Sequence, residues 1–138
     1  MDSFAIFKVS ASALDAQKGR MNTIASNMAN IHSTQTEAGG PYIKKEVIFS
    51  PLPIGAENPT PLEGVKLAQV VDGKDPIKKI YDPAHPDADK NGFVNMPNIN
   101  LMEEMVNMMM ASRAYEANVT TFNMSKSMFL KALELGRV

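Results

Sequence analysis

Residues 100–136 read NLMEEMVNMMMASRAYEANVTTFNMSKSMFLKALELG, and the spacing within that stretch decides the fold class. Leu101, Met105, Met108, Ser112, Tyr115, Val119, Phe122, Lys126, Phe129 and Leu133 alternate four and three positions apart without a slip. This is the a/d heptad stripe of a long amphipathic helix. Asn100 is placed to cap it, and Glu103, three residues on, can reach back to complete a capping box. Pro97 stands just upstream and Gly136 supplies a stop. At 1.5 Å per residue, about 36 residues give a helix of roughly 54 Å. A compact domain of this chain's length has a radius of gyration near ~14 Å, hence a diameter of roughly 37 Å. No breaker interrupts the stretch, so the pattern predicts an elongated subunit.

The other end carries the same signal. Phe4, Phe7, Ala11, Leu14, Lys18, Met21, Ala25 and Met28 hold the three-and-four alternation, and no proline precedes Pro41. Asp2 and Ser3 offer capping oxygens, so a helix from about Ser3 to about Asn30 is expected. Gly19 is a flaw in it, costing roughly 1 kcal/mol against alanine in a helix interior. Lys18 and Lys126 each interrupt a stripe, where a charge either fixes register or snorkels to solvent. Met102, Val106, Met109 and Met110 add apolar surface beyond the C-terminal seam. A helix apolar on several sides needs several partners, and the middle of the chain offers no third helix. Assembly through both ends follows. The residues expected at the assembly interface are Phe4, Phe7, Leu14, Met21, Met28, Leu101, Met105, Met108, Tyr115, Val119, Phe122, Phe129 and Leu133. Seven of the eleven methionines fall within 102–128, where flexible thioethers suit non-identical neighbours.

Between Thr34 and Asn98 lie all nine prolines and six of the eight glycines. Such punctuation forbids long helices and predicts short strands. Tyr42–Phe49, Gly64–Val71 and Ile77–Tyr81 are the candidates, with Asp72-Gly73 as a hairpin turn before the third. Residues 82–98 read as an extended, proline-rich connector. The fold expected is α+β and mainly α: long terminal helices packed as a coiled-coil-like pair, with a small antiparallel β insert. In domain terms, 1–34 and 98–138 form a helical part and 35–97 the insert.

Composition narrows the function. The 138 residues are 44% hydrophobic and 21% charged with a net charge of −1, as in a folded chain without the basic face of a nucleic-acid binder. No apolar run is long enough to span a membrane. The absence of cysteine removes thiolate metal sites and thiol nucleophiles.

Candidate chemistry is sparse. Asp87, Asp89, Asn91 and Gly92 match the opening of an EF-hand loop, but Asn98 stands where its bidentate carboxylate belongs and Pro86 blocks an entering helix. A polar turn held by Asx-type bonds explains the same residues. Asp82, His85, Asp87 and Asp89 could be drawn as a metal or acid–base group, yet a proline-rich loop would hold them poorly and surface roles fit better. Gly39-Gly40 lacks the lysine, hydroxyl and helix of a phosphate loop. No serine has a nucleophile elbow. No metal, no cofactor and no catalysis are expected; a helical binding module with a calcium-responsive loop is the alternative to a structural subunit.

Ser26-Asn27-Met28-Ala29-Asn30-Ile31-His32-Ser33-Thr34 resembles the signature of bacterial flagellar rod and hook proteins, at the end of the N-terminal helix where that family carries it. Ser26, Asn27, Ala29, Asn30 and Thr34 are the motif positions. Gly40-Pro41-Tyr42, the segment from Tyr81 to Asp89, and the runs Glu103–Met108 and Arg113–Asn118 are similar to a proximal-rod branch of that family. Thr34-Gln35-Thr36 replaces the Thr-Gly-aromatic ending of hook and distal-rod members. The resemblance implies a structural subunit of the proximal rod in the basal body, crossing the periplasm, with terminal helices around a central export channel. It implies passage from the cytoplasm through the flagellar type III export apparatus. It also implies contacts with copies of itself and with FlgB, FlgF, FlgG and FliE, and neither nucleic acid nor membrane insertion.

Overall fold

The computed structural model describes residues 4–54 and 62–136. The capping positions Asp2 and Ser3, and the turn prolines Pro59 and Pro61, lie outside the described residues. In chain order the elements are α1 (Ala5–Ala29), β1 (Lys45–Ile54), β2 (Leu62–Asp72), β3 (Ile77–Tyr81), β4 (Phe93–Pro97) and α2 (Leu101–Leu135). The α+β architecture, mainly helical with antiparallel strands between two terminal helices, is the one the periodicities predict. The 35 residues of α2 form one unbroken helix. Asn100 caps it, its Oδ1 accepting from the N–H groups of Met102 (3.0 Å) and Glu103 (3.4 Å). The expected return bond from Glu103 is replaced by an ion pair, because its carboxylate turns to Lys44 Nζ at 3.3 Å.

The strands differ from expectation in three ways. β1 begins and ends later than predicted and runs through Pro51 and Pro53. It pairs with β2 alone in a two-stranded sheet, and an edge strand tolerates residues without a backbone N–H. Gly73 does not turn the chain into a β2–β3 hairpin; its N–H extends the first sheet by donating to Lys44 C=O (2.9 Å). The connector holds β4, which pairs antiparallel with β3 in the register Ile77↔Pro97 to Tyr81↔Phe93. The loop between them is fastened by Asp89, whose Oδ1 accepts from Asn91 (2.8 Å) and Phe93 (2.9 Å) N–H groups. The Phe93 bond above all, then the Asn91 bond, holds the Asp89 carboxyl below its ordinary range. Gly92 closes the loop at φ 80°, a conformation other residues avoid.

Contacts divide the chain into two compact units. The first comprises Met1–Met21, Phe49–Ala68 and Met109–Val138. Its core joins Ala5, Ala16, Ile54 and Ala111. Four phenylalanines stack across the helices: Phe7 lies edge-on to Phe122 (5.2 Å) and Phe129 (6.2 Å), and Phe4 lies 5.9 Å from Phe129. Each such pair adds about 0.5–1.5 kcal/mol beyond its area. Further along α1, the small residues Ser12 and Gly19 admit β2. Ser12 Oγ accepts from Val65 N–H (3.1 Å), and a Cβ on Gly19 would lie 2.6 Å from Leu67 Cδ1. Gly19 is thus the place where a leucine seats against the helix.

The second unit comprises Asn22–Ile48 and Gln69–Met108. Ile24, Val94, Ile99 and Pro97 are buried there, with two polar side chains among them, Asn27 and Glu104.

Candidate functional site

The motif residues Ser26–Thr34 begin on the last turn of α1 and continue into the following turn. Asn27, 1% exposed, satisfies all four of its hydrogen-bonding positions. Its Oδ1 accepts from Lys45 N–H (2.9 Å) and from Tyr42 Oη (3.1 Å). Its Nδ2 donates to Lys45 C=O (2.9 Å) and to Glu104 Oε2 (3.1 Å). The carboxamide therefore pairs with one residue of β1 as a neighbouring strand would, while bonding the first turn of α2. Asn30 ends the helix, its N–H and its Nδ2 both donating to Ser26 C=O. Thr34 Oγ1 donates to Asp87 Oδ2 (2.7 Å), joined by Gln35 Nε2 to Oδ1 (3.2 Å). Ala29 is exposed.

Glu104 completes the cluster. Its Oε1 lies 3.2 Å from Lys44 Nζ, with Glu104 2% and Lys44 17% exposed. Burial by itself disfavours the Lys44 ammonium, but the hydrogen bonds and charges of Glu104 and Glu103 outweigh it and raise its pKa. Burial raises the Tyr42 hydroxyl too, against the opposing charge of Lys45. Both groups keep their protons more tightly folded than at their ordinary values of 10.5 and 10.0. The stability each contributes is present below those values and fades as pH rises through the higher folded ones. Thermal midpoints across the alkaline range should fall above about pH 10 in the natural protein. A Tyr42→Phe/Lys44→Met variant should start lower and lose less over the same range. Equal slopes would contradict the assignment.

The expected interface residues fall into two groups. Phe4, Phe7, Phe122 and Phe129 pack together in the first unit, and Leu14, Met21, Met28, Met108, Tyr115 and Val119 are half-buried. Leu101, Met105 and Leu133 are exposed, as are Lys18 and Lys126, so neither lysine sits in a buried seam. The most buried line on α2 is displaced from the expected stripe. It runs Glu104, Met108, Ala111, Tyr115, Asn118, Phe122, Ser125 and Phe129. Outside it, Met102, Val106, Met109, Met110, Met124, Met128 and Leu130 stand at least half exposed. An open groove beside Thr120, Asn123, Met124, Ser127 and Met128 follows the same face.

The loop that resembled an EF-hand opening has its carboxylates engaged: Asp87 with Thr34 and Gln35, Asp89 with backbone N–H groups. Asp87 N–H also donates to His85 Nδ1 (3.1 Å). Among the described residues no group of three or more acidic or histidine side chains is arranged to hold a metal, and no helix is long and apolar enough to cross a membrane.

Residues 7–35 match the family described as flagella basal body rod protein, and residues 90–135 match the C-terminal family of the flagellar basal body rod FlgEFG proteins. These two matches contain Asn27, Thr34 and Glu104. Over 98% of both chains the protein is 43% identical to the flagellar basal-body rod protein FlgC of Borreliella burgdorferi. Over 96% of both it is 46% identical to FlgC of Salmonella typhimurium. FlgC of Buchnera aphidicola is 39% identical over 94% of this chain and 95% of its own. With two helical ends matching the rod families and near-complete coverage by these relatives, the chain belongs to the flagellar basal-body rod protein FlgC family.

Proposed function

We propose that this chain is a structural subunit of the proximal part of the flagellar rod, built into a drive shaft around an export channel. The observation that carries it is the apolar surface left outward on α2, where Met102 is 67% and Met128 71% exposed. Large apolar side chains left to water in such number suit association, and thioethers adapt to unlike neighbours. In this reading residues 1–34 and 98–138 make the helical packing domain and 35–97 the insert. The neighbours are copies of itself and FlgB, FlgF, FlgG and FliE, reached after passage through the type III export apparatus. The chain works by shape and packing, without catalysis, a metal or a cofactor. Deletion of its gene in a motile host should abolish swimming and leave basal bodies without a complete rod by electron microscopy. Retained motility with normal basal bodies would overturn the reading.

A further inference from the structure

Two lines of side chains on α2 compete for the inward direction, and they share Met108, Tyr115, Phe122 and Phe129. One adds Leu101, Met105, Ser112, Val119, Lys126 and Leu133; the other adds Glu104, Ala111, Asn118 and Ser125. Turning the first line inward gains apolar burial at roughly 25 cal/mol per Å², but it also takes in Ser112 and the Lys126 charge. The protein buries Glu104 and Ala111 of the second and leaves Leu101, Met105 and Leu133 of the first outward, with Ser112, Asn118, Val119 and Ser125 half-buried between them. Turning from one line to the other takes only about half of the 100° step between successive residues. Apolar contact alone therefore gives this helix no single facing direction.

We propose that Glu104 is the residue that selects which face of α2 turns inward. Its carboxylate is satisfied only where Asn27 Nδ2 and Lys44 Nζ converge, at 3.1 and 3.2 Å. Any turn that brings Met105 inward removes the acid from both donors. A buried polar group of this kind specifies an arrangement that apolar packing leaves open, as a single asparagine does at a coiled-coil core position. By excluding the more apolar line from the interior, it also determines which surface is left for neighbours.

The natural chain has no cysteine, so single thiols can report the facing of the helix. Ala111→Cys and Met105→Cys are introduced separately into the natural background and into Glu104→Ala and Glu104→Gln. In Glu104→Ala, which removes the acid without adding a large apolar side chain to the inward line, Asn27 keeps Lys45 and Tyr42, and Lys44 keeps Glu103, so the fold loses little else. In the natural background the thiol at position 105 should react with a maleimide at least 100-fold faster than that at 111. In Glu104→Ala, with helix content by circular dichroism unchanged, that ratio should collapse by at least tenfold. Glu104→Gln retains an acceptor for Asn27 and should keep the natural ratio. An unchanged ratio in Glu104→Ala would overturn the proposal. So would loss of helix content there, since the acid would then stabilise the fold rather than select a face, or collapse of the ratio in Glu104→Gln.

Discussion

Asn27→Asp is expected to lower the free energy of unfolding by about 3–5 kcal/mol, the range for leaving a buried charge without compensation. The aspartate would present a carboxylate to Glu104, which the Asn27 amide now reaches at 3.1 Å, and to Lys45 C=O at 2.9 Å. Both donors would be gone, and two like charges would face each other where neither reaches water. Lys45 N–H and Tyr42 Oη could still donate to it, which keeps the cost below that of complete isolation. Asn27→Ala should cost less, about 2–4 kcal/mol, because it orphans the Lys45 backbone groups without adding charge. Denaturant unfolding of the three proteins checks the order. A loss under 1 kcal/mol for Asn27→Asp would mean that the cluster opens freely to solvent.

The second large effect is expected at Gly64. A Cβ there would lie 2.5 Å from Ser12 Oγ and 2.9 Å from Ile54 Cδ1. Gly64→Val places two further carbons in this crowded space, so α1 must shift from β2 or Ile54 must leave its buried position. Overpacking of this kind costs about 1–3 kcal/mol. Losing the Ser12 to Val65 hydrogen bond adds about 1 kcal/mol. The combined loss of roughly 3 kcal/mol should appear as a lower thermal midpoint. Ser12→Ala removes the nearest clashing atom, so the double variant Ser12→Ala/Gly64→Ala should be less impaired than the two single losses added together. Strict additivity would show that the two residues do not compete for the same space.

What the sequence revealed, and what it hid, follows from the physics of each signal. Both helices were legible because their apolar spacing persists over many turns and the ends carry Asn100 and Gly136. The facing of α2 was not, because the expected and observed lines share every second position. The residue that breaks the tie is a glutamate, a type that pattern reading assigns to solvent. β4 was hidden because Pro97 and the asparagines at 91, 95 and 98 read as connector, although Val94 and Met96 alternate inward. β1 was cut short at its prolines, which an edge strand accepts. Asn27 and Thr34 carry no local chemical mark at all. They were singled out only by family resemblance, and their work depends on partners 77 and 53 residues away in the chain.

The prolines of β1 have a consequence for how copies of this chain can meet. An exposed ribbon edge invites another strand to add to it, which is the route to fibres. Along β1, Lys45 has given its N–H to Asn27, and Pro51 and Pro53 have none to give. A strand approaching that edge finds these three donors missing and the Lys45 C=O already taken by Asn27. The chain thus carries adhesive helices and, along β1, a ribbon edge guarded against strand addition, which leaves the helices as the favoured route of self-association.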